Sequence, residues 1–229
     1  MKHPGKTLRA VVFDLDGTLV DTAGDFIPVV QALREEAGLP PMADQRIRAT
    51  VSNGARALVT LSLALQESDT DFEDRRLRLL ELYGARIGRD AFLYPGMGDL
   101  LAEVKARGLA WGIATNKPRD LTERLLDVLE LEPGSLVCPE DVQFRKPHPE
   151  SLERACTELA CAANEAIYVG DHARDIEAGR QAGLYTIAAA WGYIEPGDSA
   201  ETWGADEVVS HSEELKTAVL TTGEDRTHA

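Results

Sequence analysis

The apolar positions change period along the chain, and the changes divide it. Leu8 to Phe13 is a short apolar-rich run of strand length. From about Thr22 to Gly88 the spacing is helical. Phe26, Val29, Val30 and Leu33 recur on one face and stop at Gly38-Leu39-Pro40-Pro41. Ile47 and Val51 mark a second helix, "GARALVTLSLAL" a third and "FEDRRLRLLELYGARI" a fourth. Alternation then begins. "GDLLAEVKARG", "RDLTERLLDVLEL", "PESLERACTELA" and "ARDIEAGRQAG" read as helices. Between and after them "LAWGIAT", "SLVCP", "AIYVGD", "LYTIAAAW" and "ADEVVS" read as strands. The terminal "TTGEDRTHA" reads as a frayed tail.

Strand–helix alternation predicts an α/β fold, a doubly wound parallel sheet with helices on both faces. The helical stretch interrupts it after the first strand. An insert of about 70 residues is too long for a loop and predicts an all-helical cap. The expected division is 1–21 and 89–229 for the α/β core and 22–88 for the cap. Ligand sites in such sheets lie beyond the carboxyl ends of the strands.

Composition narrows the functional classes. Apolar residues make up 44% of the 229 positions, enough for a sizeable core. A net charge of −15 argues against nucleic acid and against an anionic membrane. No apolar run approaches a membrane span, and no signal-peptide core precedes the first strand. Cys138, Cys156 and Cys161 form no CxxC pair, which fits the reduced thiols of a cytoplasmic protein. An acidic protein that handles an anion needs a local cation, so a metal site is expected. The sequence leaves monomer or dimer open.

Candidate chemistry sits at the strand ends. Asp14 and Asp16 follow the first strand two residues apart, which puts both carboxylates on one side of an extended chain. Gly17 lets the chain turn away. Thr115 ends "LAWGIAT" and is followed by Asn116, and Lys146 stands in "RKPHP". Asp171 and Asp175 stand in "GDHARD" after another strand. Each piece alone has an ordinary reading: a solvated carboxylate pair, an N-cap threonine, a surface lysine, a helix start. All four in this order, each at one rim, are poorly explained that way.

With "DLDGT", "ATN", "KPHP" and "GDHARD" in this order, the chain resembles the haloacid dehalogenase superfamily of phosphotransferases from Leu8 to about Leu215. The resemblance implies a Rossmann-like core with a helical cap and a phosphoric monoester hydrolase. By it Asp14 is the nucleophile that forms an aspartyl phosphate, and Asp16 is the general acid and base. Mg²⁺ is held by Asp14, the Asp16 carbonyl and Asp171, with Asp175 in support. Thr115 and Asn116 bind phosphoryl oxygens, and Lys146 neutralises charge. Asp16 separates phosphatases and phosphomutases from dehalogenases. A phospho-receiver or a vestigial binding protein fits less well, given the insert and the complete motif set.

The cap is expected to read the leaving group. In "SNGARAL", Ser52 or Asn53 is expected to cap a helix from Gly54, with Arg56 as a cation in its first turn. An ordinary surface arginine explains Arg56 about as well. "NGA", "YPG" and "TNKP" are similar to phosphoglycolate phosphatases. "DTAGDFI", "CPEDV", "WGYIEPGD" and "WGADEVV" are closer to N-acetylmuramic acid 6-phosphate phosphatases of peptidoglycan recycling. The expected partner is therefore a small carboxylated phosphate monoester, the muramic compound first and 2-phosphoglycolate second, with sugar phosphomutation a less favoured reading. Trp191 is expected to pack rather than to bind.

Overall fold

The structure is a computed structural model that describes residues 1–221. The tail expected to fray lies almost wholly outside the described residues. β1 (Ala10–Phe13) leads into a tight loop and then β2 (Val20–Asp21). The inserted helices follow: α1 (Ala23–Glu36), α2 (Asp44–Thr50), α3 (Gly54–Leu63) and α4 (Phe72–Gly84). β3 (Phe92–Leu93) returns the chain to α5 (Met97–Ala106), β4 (Ala110–Ala114), α6 (Arg119–Val128) and β5 (Ser135–Val137). After these come α7 (Glu150–Glu158), β6 (Ala166–Gly170), α8 (Ala173–Ala182), β7 (Tyr185–Ala189), β8 (Glu207–Val209) and α9 (Leu215–Leu220).

Six strands form one parallel sheet in the order β5-β4-β1-β6-β7-β8. The first strand of the chain is thus central, flanked by β4 (Val11 opposite Trp111) and β6 (Val11 opposite Ile167). Being covered on both faces, it needs no polar alternation. Val11 and Phe13 pack on one face with Met97, Leu100, Leu125 and Leu215 from α5, α6 and α9. Ala10 and Val12 pack on the other with Leu152 and Ala178 from α7 and α8.

The helices of the insert share a separate apolar cluster, with Phe26, Leu33, Ile47, Leu58 and Tyr83 at its heart. The two chain crossings are tied together. Buried Asp25 in α1 accepts from the backbone N–H groups of Gly88 (2.7 Å) and Asp90 (2.9 Å). The β2–β3 antiparallel pair lies beside them, with Val20 opposite Leu93. Two-residue strands and a six-residue helix carry too little period to read, so this pair and α9 escape sequence analysis.

Candidate active site

Where β1 ends, the Asp14 N–H bonds to Val169 O at 2.9 Å, which fixes Asp14 at the sheet's carboxyl edge. Asp14, Asp171 and Asp175 are all buried, and one carboxylate oxygen from each lies within 4.8 Å of the others. Lys146 reaches the same point from the loop before α7. Its Nζ stands 2.9 Å from Asp14 Oδ1 and 2.7 Å from Asp175 Oδ1, and it also donates to Ala114 O and the Tyr168 hydroxyl. A buried lysine is tolerated because acceptors surround it.

Three carboxylates and one ammonium leave an excess of negative charge. Burial raises the Asp14 carboxyl to about 6, with Lys146 pulling the other way and Asp175 adding repulsion. Burial and repulsion from Asp14 and Asp175 push Asp171 up to about 7. For Asp175 burial also acts upward, but Lys146 and Arg174 outweigh it and the group ends below its ordinary value. A cation fits this cluster. Its donors are hard oxygens, and the buried Oδ2 of Asp175 has no hydrogen-bond partner among the described residues.

Asp171 is itself held rigidly. It accepts from Thr18 Oγ1 (3.0 Å), Ser52 Oγ (2.7 Å) and the Tyr193 N–H (2.9 Å). Gly17 turns the chain beside it with φ +85°, and a Cβ there would run into the Asp171 carboxylate and the Tyr193 ring.

Asp16 faces the cavity. It accepts from Thr22 Oγ1 (2.6 Å) and from Lys117 Nζ (2.9 Å). Lys117 also donates to the Tyr83 hydroxyl of α4 at 2.7 Å and sits over the Tyr83 and Phe26 rings. Thr115 is buried one residue past β4, its Oγ1 accepting from the Lys117 N–H at 3.2 Å. Its own hydroxyl proton is left for another acceptor. The Asn116 side chain donates to Lys146 O at 3.2 Å and so ties two of the predicted loops together.

A cavity of about 230 Å³ lies over these groups, roofed by the insert. Asn53, Gly54 and Arg56 line it as the sequence suggests, but their contacts differ from expectation. Neither Ser52 nor Asn53 caps α3, because both side chains reach down to the core instead. Ser52 binds Asp171, and Asn53 Oδ1 meets His172 Nε2 at 2.9 Å. His172 Nδ1 accepts from the Arg174 N–H, so Nε2 is the donor to Asn53. Burial, with repulsion from Arg174, pushes this imidazole down to about 4 and keeps it neutral. Arg56 is half-exposed and paired with Glu67 (2.9 Å) and Glu73 (3.5 Å).

Sequence reasoning missed Lys117, Tyr83, Arg145 and Arg174. Lys117 stands inside the "TNKP" motif, but only the fold brings Asp16 and Tyr83 to it. Arg174 bonds to the Ser52 carbonyl across 122 residues of sequence. Trp191 packs as expected, edge-on to Tyr94 at 6.4 Å with its Nε1 on Thr18 O. No helix among the described residues is long and apolar enough to cross a membrane.

The aspartate cluster at the edge of a parallel sheet, the buried lysine and the helical roof define a class. The chain belongs to the haloacid dehalogenase-like hydrolases, whose family model matches residues 11–189. Among particular relatives, it is 44% identical to the N-acetylmuramic acid 6-phosphate phosphatase of Pseudomonas putida, over 93% of this chain and 96% of that one. It is 38% identical to the phosphoglycolate phosphatase of Xanthomonas campestris pv. campestris, over 90% and 94%. A solved structure of a predicted phosphoglycolate phosphatase from Haemophilus somnus shares the fold, with a TM-score of 0.82, 21% identity and coverage of 93% and 98%.

Proposed function

We propose that the protein is a Mg²⁺-dependent phosphomonoesterase acting on N-acetylmuramic acid 6-phosphate. The observation that carries the chemistry is the Lys146 ammonium, 2.9 Å from Asp14 within a buried carboxylate cluster under the cavity. In this reading residues 22–88 are the cap, and 1–21 with 89–229 the core.

An Asp14 carboxylate oxygen attacks phosphorus, the ester P–O bond breaks, and Asp16 gives its proton to the leaving oxygen. Water then attacks the aspartyl phosphate, Asp16 takes the water proton, and inorganic phosphate leaves with Asp14 regenerated. Thr115 Oγ1 and the Asn116 N–H hold phosphoryl oxygens, and Lys146 holds Asp14 in one orientation. Asp14, the Asp16 carbonyl and Asp171 would hold Mg²⁺, with Asp175 beside them. The ion supplies charge that lets an anionic nucleophile meet an anionic phosphate.

The substrate reading is supported by the 44% identical relative and by an apolar wall of Phe26, Val51, Leu80 and Leu121. The muramic compound offers acetyl and lactyl methyl groups to such a wall. 2-Phosphoglycolate is the second reading, favoured by the name of the 38% identical relative. Phosphate release from both compounds, compared by kcat/KM, tests the assignment. A preference for the muramic compound is expected, and a preference for glycolate reverses the order. Absence of release from either overturns the phosphatase reading.

A further inference from the structure

The cavity walls carry five cations, Arg56, Arg76, Lys117, Arg145 and Arg174, against two carboxylates, Asp14 and Asp16. Carboxylates within the fold balance most of these charges, so the donors that stay unpaired are the ones a ligand can use. Four of the five have a partner within the fold. Arg56 pairs with Glu67 and Glu73, and Arg76 forks onto Glu73 at 2.9 and 3.0 Å through Nε. Lys117 holds Asp16, and Arg174 holds the Ser52 carbonyl through Nη2 while its buried Nε has no partner among the described residues. Arg145 is exposed at the cavity mouth, and its guanidinium has no ion-pair or hydrogen-bond partner among the described residues.

Its backbone, in contrast, is fixed on both sides. The Gln143 and Phe144 N–H groups each bond to the Glu150 carboxylate at 2.9 Å. Arg145 O accepts from the His148 N–H at 2.9 Å, and Lys146 O accepts from Asn116. The next residue, Lys146, reaches Asp14 itself. A planar fork of donors thus stands on a rigid loop at the edge of the reaction cavity, its donors not yet used. Such a fork suits a carboxylate, which it can grip with two parallel hydrogen bonds. Little backbone ordering is left for binding to cost.

We propose that Arg145 is the residue that reads a carboxylate on the leaving group, and so sets the preference for carboxylated over plain phosphate esters. The inference rests on the phosphomonoesterase reading above and goes beyond it by naming the specificity residue. It places that residue on the core loop beside Lys146, not on the cap at Arg56.

The test is the ratio of kcat/KM for N-acetylmuramic acid 6-phosphate to that for N-acetylglucosamine 6-phosphate, which lacks the lactyl carboxylate. The same ratio is taken for 2-phosphoglycolate over ethyl phosphate. Arg145→Ala is expected to lower the ratio of whichever pair the native enzyme favours by about ten- to hundred-fold, the worth of a lost charged hydrogen bond. Arg145→Lys is expected to recover part of the loss, since it keeps the charge but not the fork. An unchanged ratio in Arg145→Ala overturns the proposal, whether activity on both members falls equally or not at all. A native enzyme that releases no phosphate from any of the four compounds instead overturns the phosphatase reading.

Discussion

Ser52 Oγ, on the insert, lies 2.7 Å from Asp171 Oδ2 on the core, and 3.4 Å from the carbonyl of Asp16. The serine hydroxyl therefore stands between two oxygens proposed to hold the cation. Its proton competes with an ion for the same lone pairs. Ser52→Ala should tighten Mg²⁺ binding by about ten-fold, the low end of the range for one hydrogen bond to a carboxylate. Calorimetric titration of the substrate-free protein reads this directly. Weaker binding in the variant would show that the hydroxyl helps to hold the ion.

Asp14→Asn keeps the shape of the side chain and removes the attacking charge. Turnover should fall by at least about 10³-fold, or ~4 kcal/mol. The melting transition should persist, because Lys146 keeps Asp175 as a partner at 2.7 Å. A folded variant with native turnover would exclude Asp14 as nucleophile.

Metal and pH should be linked. Asp171 titrates at about 7 in the metal-free fold, against 3.8 ordinarily, so the folded state holds more protons than the unfolded state between these values. Metal-free stability from this group therefore falls as pH rises through that window. Asp14, raised to about 6, adds the same sign. His172, lowered from 6.5 to about 4, opposes it, but only below about pH 6.5. A bound cation replaces the protons on the carboxylates, so its gain in Tm should be larger at pH 8 than at pH 5. Scanning calorimetry with Mg²⁺ and with chelator measures both. Equal gains at the two pH values would rule out these carboxylates as the site, and chelator should also abolish turnover.

Lys117 joins Asp16 to the Tyr83 hydroxyl of the roof, at 2.9 and 2.7 Å. Lys117→Met should cost about ten- to hundred-fold in kcat/KM, as one charged hydrogen bond does. Tyr83→Phe should cost about two- to ten-fold, because it removes only the neutral partner. Steady-state kinetics on one good substrate separates them. A larger effect in Tyr83→Phe would assign the hydroxyl a role beyond holding Lys117.

Arg56→Ala should do little. Its guanidinium is half-exposed and already paired with Glu67 and Glu73, and exposed pairs contribute up to about 1 kcal/mol. A loss of kcat/KM beyond about five-fold on carboxylated substrates would return the reading role to the cap.

The sequence alone determined the sheet, the insert and the carboxylate floor, because these depend on local pattern. The buried run Ala10–Phe13 reads as a covered strand, and Asp14, Asp171 and Asp175 could be named from strand ends and Lys146 from the loop "RKPHP". Period and turn chemistry are written within a few residues of where they act. Contacts across more than a hundred residues are not. Tertiary structure decided that Lys117 pairs with Asp16, that Ser52 and Asn53 leave their helix end for Asp171 and His172, and that Arg56 is neutralised by Glu67 and Glu73. It also left the Arg145 guanidinium at the cavity mouth without a partner among the described residues. A side chain's partner is fixed by the packing of the insert on the core, and a linear sequence shows the charge of an arginine but not the carboxylate that meets it.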